Sequence, residues 1–146
     1  MMINTTLPNY QFRVCYSDTD AAGFVHHARY LEIFERGRTE YLHQLESNPA
    51  KLANEFDILL PIREITMHFH KPGRLDDLLL IEQVIQERGR TQVKVKQTAK
   101  RHIQSDGGAE QELVASGVLH IVCIDKNTLK PKALPDWLFP LQEAAS

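Results

Sequence analysis

The spacing of apolar and polar positions predicts a short first strand followed by one long helix. Over Tyr10–Tyr16 apolar and polar side chains alternate, which is typical of a strand buried on one face. From His27 to Leu45 the apolar spacing changes to that of an amphipathic helix. Gly37 lies inside the apolar stripe, although glycine costs a helix about 1 kcal/mol relative to alanine. We therefore interpret Gly37 as a point where the helix closely approaches a sheet. The stripe consists of Tyr30, Phe34, Tyr41 and Leu45.

The second half of the chain predicts four more strands, joined mostly by tight turns. A short helix is predicted at Ala50–Phe56, and turns at Arg88–Arg90 and Ser105–Gly108. The four strands are Ile62–Lys71, Leu78–Glu87, Thr91–Lys100 and Leu113–Ile124. The last of them is almost continuously apolar, so we expect it to be interior or paired across a subunit boundary.

These elements predict an α+β fold, in which an antiparallel five-stranded sheet carries one long helix. We expect a single domain over residues 1–146, since a chain of this length buries a sufficient core without metals or disulfides. One helix covers only one face of such a sheet. A homodimer or homotetramer is therefore expected.

Composition narrows the classes of function. The chain is 42% hydrophobic and 25% charged, with a net charge of −2, and no block of Lys and Arg interleaves with aromatic residues, so no nucleic-acid partner is predicted. No apolar run approaches the ~20 residues that cross a bilayer, and the N-terminus does not resemble a signal peptide. We expect a cytoplasmic protein with no integral membrane segment. Cys15 and Cys123 lie in apolar runs and are expected to be buried free thiols.

The candidate chemistry is concentrated in Ser17–His27, where two carboxylates, a glycine and two histidines lie between the first strand and the helix. The unpaired N–H groups of a helix N-terminus can stabilise negative charge on a carbonyl oxygen under attack. A nearby carboxylate can deprotonate water or attack directly. The residues alone also allow Asp18 and Asp20 to be turn residues and helix caps. His27 continues the helical stripe, so we expect it to face inward near Asp20.

Other chemistries fit this sequence less well. An EF-hand loop starting at Asp18 fails at Ala22 and Arg29, where calcium ligands are required. Phosphotransferases with an Asp-x-Asp motif need a longer chain of alternating strands and helices. There is no Gly-x-Ser-x-Gly motif for a serine hydrolase. His68 and His70 share a strand face, but no third ligand has a suitable spacing, so no metal is predicted.

Several motifs carry a resemblance to a known family. They are Asp18–Tyr30, Phe34–Glu40, Pro72–Asp77, Arg88–Thr91, Val122–Asp125 and Lys130–Pro135. In these motifs the sequence resembles the 4-hydroxybenzoyl-CoA thioesterase family, and within it most closely the bacterial acyl-CoA thioesterases encoded beside the Tol–Pal system. The likeness covers nearly the whole chain. His26 departs from the pattern because relatives often have an aromatic residue there; Ala22 and Gly37 replace an expected Gly and Ala.

The resemblance implies a hotdog fold, in which the sheet wraps around the long helix and the sites lie at a dimer interface. It implies hydrolysis of a short-chain acyl- or aroyl-CoA to the free acid and coenzyme A, without cofactor or metal. Two alternatives are a hotdog hydratase or dehydratase and a non-catalytic acyl-CoA-binding scaffold protein.

The resemblance also assigns roles to residues. The catalytic aspartate of the family falls on Asp20 and its helix-start histidine on His27. The thioester carbonyl is expected to point at backbone N–H groups from Val25 through His26 to His27. The nucleotide end of coenzyme A is expected over basic surface, with Arg88 and Arg90 as candidates. Whether Asp20 acts as a general base or as a nucleophile stays open.

Overall fold

The computed structural model describes residues 2–143, which form two α-helices, a short 3-10 helix at Tyr16–Asp18 and nine strands. The helices are α1, Arg29–Gln44, and α2, Pro49–Phe56. The strands are β1, Met2–Ile3; β2, Thr5–Arg13; β3, Ile58–Leu59; β4, Ile62–Phe69; β5, Leu78–Arg88; β6, Gln92–Ser105; β7, Gly108–Val122; β8, Ile124–Asp125; and β9, Gln142–Glu143. No helix in this part of the chain is long and apolar enough to span a membrane.

Five of the strands form one antiparallel sheet in the order β2-β5-β6-β7-β4. Strands β1 and β9 form a separate pair, as do β3 and β8. The predicted α+β hotdog arrangement is confirmed, and so is the interior position of the apolar run, which forms β7 between β6 and β4. The edges of the main sheet are β2 and β4.

The core lies between α1 and the sheet. Tyr30, Phe34 and Tyr41 of the predicted stripe are buried, and Leu45 is partly buried at its end. On the sheet, alternate side chains of β6 are buried as well, namely Val93, Val95 and Ala99. Burying each large apolar side chain contributes about 1.5–3 kcal/mol, so this shared face fixes α1 on the sheet.

The close approach predicted at Gly37 is confirmed, and two buried amides occupy it. Gln83 and Gln97 are fully buried in the sheet beneath α1. Gln83 Nε2 donates to the carbonyl of Gly37 at 3.1 Å, and Gln97 Nε2 donates to that of Phe34 at 2.8 Å. Gln97 Nε2 also donates to Gln83 Oε1 at 2.8 Å. Hydrogen bonds from these two amides therefore join α1 to the sheet inside an otherwise apolar core.

The first strand ends earlier, and the long helix begins later, than the sequence predicts. Strand β2 ends at Arg13, because Asp18 Oδ2 accepts a hydrogen bond from the N–H of Cys15 at 2.8 Å and the chain turns out of the sheet there. The predicted burial of Cys15 is therefore wrong, whereas Cys123 is buried as expected. Helix α1 begins at Arg29, so His27 precedes it.

Candidate active site

Asp20 lies in the exposed loop between β2 and α1, and its own loop fixes its carboxylate. Oδ1 accepts hydrogen bonds from the backbone N–H groups of Ala22 at 2.9 Å and Phe24 at 3.2 Å. The N–H of Asp20 donates to the carbonyl of Phe24 at 2.8 Å. Gly23 has a φ of +83°, a conformation that favours glycine in this tight turn. Oδ2 has no protein partner among residues 2–143, so it can meet a reactant.

A second loop, between β4 and β5, supports the Asp20 loop. The N–H of Val25 donates to the carbonyl of Gly73 at 2.8 Å, and the Arg74 guanidinium lies 5.1 Å from the centre of the Phe24 ring. A Cβ atom at Gly73 would lie 2.6 Å from the hydroxyl oxygen of Tyr30 and 2.9 Å from Cγ2 of Val25. Only glycine allows the two loops and α1 to meet this closely.

An ion-pair network connects the second loop to the centre of the sheet. Arg101, on β6, donates to the carbonyl of Pro72 at 3.0 Å, to Asp77 at 2.9 Å and to Glu112 at 2.6 Å. Lys71 Nζ lies 3.3 Å from a carboxylate oxygen of Glu112. The pKa of the Glu112 carboxyl is lowered, mainly by its hydrogen bond with Arg101 and next by that with Lys71. The loop that supports Asp20 is thus fixed to rigid strands rather than free at the surface.

Asp18 serves a different purpose from Asp20. It is buried, and its Oδ1 accepts a hydrogen bond from Arg29 Nε at 2.9 Å. Its carbonyl accepts the N–H of His26 at 2.9 Å. Asp18 therefore anchors the start of α1, in line with the turn or cap role that the sequence allowed, and its carboxylate is occupied.

A cleft of about 320 Å³ opens beside Asp20, between the loop, the start of α1 and the end of β4. Its lining consists of Asp20, Phe24, Val25, His27, Tyr30, Phe69, His70, Lys71, Pro72 and Gly73. The cleft brings Asp20 and His27 together, as predicted. His27 does not face inward on the helical stripe, however: it is exposed and stacks on Phe69 with ring centres 4.3 Å apart.

Of the three backbone N–H groups predicted for the thioester carbonyl, two are already in use. Val25 donates to Gly73 and His26 donates to Asp18. The N–H of His27 has no acceptor within the described chain. The side chain of His26 is outside the cleft lining, where its Nδ1 accepts the N–H of Ala28 at 3.2 Å. His27 thus lines the cleft and has a backbone N–H group without an acceptor in the described chain.

Arg88 and Arg90 do not line the cleft. The Arg88 guanidinium donates to the carbonyls of Pro135 at 2.6 Å and Leu138 at 3.2 Å, which fastens the C-terminal segment to β5. Arg90 is exposed on the turn between β5 and β6. Within a single chain, therefore, neither arginine lies beside Asp20. The guanidinium of Arg88 already donates to backbone carbonyls.

Tyr30 is a feature of the cleft that the sequence did not reveal. The stripe assigned it to the core, where it is only 2% exposed, but its hydroxyl is the one buried side-chain polar atom without a hydrogen-bond partner among the described residues. Such atoms are rare in folded proteins. Burial raises the pKa of this phenol, so it remains protonated at neutral pH. The wall of the cleft opposite Asp20 includes Pro72 and Gly73, and in the sequence only the Pro72–Asp77 motif indicated it.

Within residues 2–143 no three His, Cys, Asp or Glu side chains are grouped so that they could hold a metal ion. His70 Nε2 lies 2.9 Å from Ser116 Oγ, and the ring centres of His68 and His70 are 6.2 Å apart. His68, in β4, and His70, just after it, are therefore not grouped with a third ligand in the described part of the chain.

Comparison with known proteins identifies the family. The family model described as Thioesterase superfamily matches residues 22–105, more than half of the chain. The chain belongs to the thioesterase superfamily. Among members of this superfamily, it is 37% identical over 134 residues to the acyl-CoA thioester hydrolase YbgC of Escherichia coli O6:H1, covering 91% of this chain and 93% of that protein. It is 32% identical over 127 residues to the acyl-CoA thioesterase YbgC of Haemophilus influenzae, covering 87% and 88%.

A solved structure supports the assignment. The probable thioesterase of Bartonella henselae superposes with a TM-score of 0.75 and 30% sequence identity, covering 88% of this chain and 98% of that one. The resemblance inferred from the motifs is confirmed at the level of sequence and of fold.

Proposed function

We propose that this superfamily member hydrolyses a short-chain acyl- or aroyl-CoA to the free acid and coenzyme A. The observation that carries the proposal is the Asp20 carboxylate, which has one oxygen fixed by two N–H groups and the other unengaged beside a cleft. The relatives in Escherichia coli and Haemophilus influenzae bear the names acyl-CoA thioester hydrolase and acyl-CoA thioesterase, which favours the same substrate class.

Asp20 supplies the reacting group in this proposal. As a general base, Oδ2 takes a proton from water while the water oxygen adds to the thioester carbonyl. The tetrahedral anion then collapses, the carbon–sulfur bond breaks, and the coenzyme A thiolate leaves. As a nucleophile, Oδ2 adds to the carbonyl itself and expels the thiolate, and water then hydrolyses the resulting anhydride. Both routes consume one water and need no cofactor.

The N–H of His27 is the proposed donor to the developing oxyanion. It lies two residues before the first residue of α1 and has no acceptor within the described chain, whereas the N–H groups of Val25 and His26 are engaged. A single donor of this kind typically contributes about 100- to 1000-fold to kcat. The His27 ring stacks on Phe69, and both residues line the cleft.

The cleft can accommodate a small acyl group. Its volume of about 320 Å³ lies near the lower end of the range of small-molecule pockets, roughly 300–1,000 Å³, which suits a short acyl or benzoyl-sized group. Phe24 and Phe69 supply apolar wall, and Lys71 supplies positive charge at the rim. Arg90, exposed and outside the cleft, remains our candidate for the nucleotide phosphates, while Arg88 is the weaker of the two because its N–H groups are engaged.

We propose a homodimer or homotetramer as the working assembly. Strand β4 pairs only with β7 among the described strands, which leaves an edge whose Ile62 is 41% and Phe69 45% exposed. Unpaired edges favour pairing with another chain. Phe69 also lines the cleft, so a contact through β4 would place a second copy near Asp20. Light scattering at low micromolar concentration should give at least twice the protomer mass; a fully active monomer would contradict the proposal.

The cytoplasmic location of the protein stays a prediction.

A panel of coenzyme A thioesters tests the activity. The purified chain is incubated with acetyl-, butyryl-, hexanoyl-, crotonyl- and benzoyl-CoA, and free thiol is followed with a chromogenic disulfide. We expect thiol release that is fastest with one of the smaller substrates. Loss of the crotonyl double bond without thiol release would instead identify a hydratase, and saturable binding without either reaction would identify a scaffold.

A single-turnover experiment separates the two routes. The enzyme is mixed with a limiting thioester and quenched within the first turnover in hydroxylamine, which converts an acyl–aspartyl anhydride to a stable hydroxamate before digestion. A peptide carrying a hydroxamate at Asp20 indicates the nucleophilic route. An Asp20 peptide without hydroxamate at every time point of the turnover indicates general-base catalysis.

A further inference from the structure

His27, whose N–H is the proposed oxyanion donor, is exposed just before α1 and has protein contacts on two sides. On one side, backbone hydrogen bonds hold its neighbours in the loop. The N–H of His26 donates to the carbonyl of Asp18 at 2.9 Å, and the N–H of Arg29 donates to the carbonyl of His26 at 2.9 Å. The carbonyl of His27 accepts the N–H of Tyr30 at 3.3 Å. These bonds fix the segment around His27 but leave its side chain to a different partner.

That partner is Phe69, the last residue of β4. The rings of His27 and Phe69 are stacked, with centres 4.3 Å apart and planes inclined by 27°. The Phe69 ring also packs against that of Tyr30, a core residue, with centres 5.9 Å apart. The backbone of Phe69 is paired with Ala115 of β7. Phe69 is therefore held by the core and by the sheet, and it presents a flat ring face to His27.

Burial alone does not explain an aromatic side chain at this position. Phe69 is 45% exposed, so it gains only part of the free energy that burying a phenyl ring provides. Aromatic pairs contribute beyond their buried area, and this contribution depends on how the two ring faces are oriented. A leucine at position 69 would supply apolar surface but no face on which an imidazole could stack.

We propose that Phe69 is a positioning residue for the thioesterase reaction, whose ring holds the imidazole of His27 and thereby fixes the direction of the His27 N–H at the cleft. Side-chain rotamers and backbone dihedral angles restrict each other, so a stacked imidazole leaves its own peptide fewer conformations. Asp18 fixes the segment from one side, through His26, and Phe69 fixes it from the other. The inference rests on the proposed function, in which this N–H meets the developing oxyanion.

The test is steady-state hydrolysis of the best thioester by Phe69→Leu, which keeps an apolar side chain and removes the stack. The kcat should fall roughly 3- to 10-fold, the scale of one aromatic pair, while KM changes by less than about twofold. Phe69→Tyr keeps the ring face and should restore at least about half of the wild-type kcat. Phe56→Leu is the matched control, because Phe56 is 37% exposed and packs on Trp137 outside the cleft, and its kcat should be unchanged.

A double-mutant cycle separates positioning from direct contact of Phe69 with the substrate. In a His27→Ala background there is no imidazole to hold, so Phe69→Leu should change kcat by less than about twofold. The proposal is overturned if the losses of the two single variants multiply in the double variant. It is also overturned if Phe69→Leu raises KM at unchanged kcat, because Phe69 would then act only as apolar wall.

Light scattering at the assay concentration distinguishes positioning from assembly, since Phe69 lies on the exposed edge of β4. Phe69→Leu should have the wild-type mass. A smaller mass, with a kcat that recovers at higher protein concentration, would assign the loss to assembly and overturn the positioning role.

Proton NMR tests the stack without turnover. The ring current of Phe69 should shift the imidazole signals of His27 upfield; Phe69→Leu should abolish this shift and Phe69→Tyr should keep it. Imidazole signals that are the same in wild type and Phe69→Leu would overturn the proposal. The two levels of inference fail differently: absence of thiol release by the wild type would refute the proposed function, whereas normal kinetics of Phe69→Leu would refute only the positioning role.

Discussion

Replacing Gly37 by alanine tests how tightly α1 is pressed on the sheet, because two effects of similar size oppose each other. Alanine favours a helix interior over glycine by about 1 kcal/mol. The added Cβ, however, would lie 3.2 Å from Gln83 Oε1 and 3.3 Å from its Cδ, closer than ordinary contacts. Forcing an extra carbon into a packed core costs about 1–3 kcal/mol.

Gln83 has little freedom to move away. Its Nε2 donates to the carbonyls of Pro8 at 3.0 Å and Gly37 at 3.1 Å, and its Oε1 accepts from Gln97 at 2.8 Å. The steric cost should therefore equal or exceed the helical gain. We expect Gly37→Ala to lower the free energy of unfolding by roughly 0–2 kcal/mol.

A double-mutant cycle isolates the contact. In a Gln83→Ala background the obstructing amide is gone, and Gly37→Ala should raise the free energy of unfolding by about 1 kcal/mol through helix propensity alone. The coupling between positions 37 and 83 is then about 1–3 kcal/mol. Urea unfolding of the four proteins, at one protomer concentration because assembly contributes to stability, gives this quantity. Equal effects of Gly37→Ala in both backgrounds, to within about 0.5 kcal/mol, would refute the packing argument.

Three other perturbations address the site and its supports. Gly73→Ala should reduce thioesterase activity at least tenfold and lower stability by about 1–3 kcal/mol, since its Cβ would overlap the Tyr30 hydroxyl at 2.6 Å; normal kinetics would show that the loops can separate. Arg88→Gln should lower the free energy of unfolding by about 1.5–3 kcal/mol by releasing the C-terminal carbonyls, and an unchanged urea midpoint would contradict this. The Asp18 carboxylate raises the pKa of Cys15, so at pH 8 to 9 iodoacetamide should alkylate this exposed thiol more slowly than a free cysteine; an equal or faster rate would contradict it.

Periodicity was sufficient to predict the sheet and the long helix, because each buries one continuous apolar face. It could not locate where α1 begins. The apolar stripe extends back to His27, but the pairing of Asp18 with Arg29 sets the first helical residue, and that contact spans 11 positions of sequence. Cys15 was misjudged for the same reason, since a local turn overrides the apolar run in which it lies.

The arrangement of the candidate site was predictable only in part. Asp20 and His27, which line one cleft, were proposed because their motif is contiguous in the sequence, and their roles stay predictions. Gly73 shapes the cleft through its close contact with Tyr30, which is 43 positions away in the sequence. Neither a glycine nor a tyrosine indicates a functional site by itself. The hydrogen bonds of Arg88 to backbone carbonyls of the C-terminal segment could not be predicted, because no local pattern reveals that partner. Its contact with coenzyme A stays a prediction.

The most direct test of the central claim is the kcat/KM of Asp20→Asn for the best substrate of the thioester panel. Circular dichroism must show the variant folded, and Asp106→Asn, in the exposed turn between β6 and β7, serves as the matched control. Because asparagine can neither accept the proton of water nor attack efficiently, we predict a loss of about 100-fold or more, with the control unchanged. A folded Asp20→Asn enzyme with near-normal kcat/KM would contradict the account.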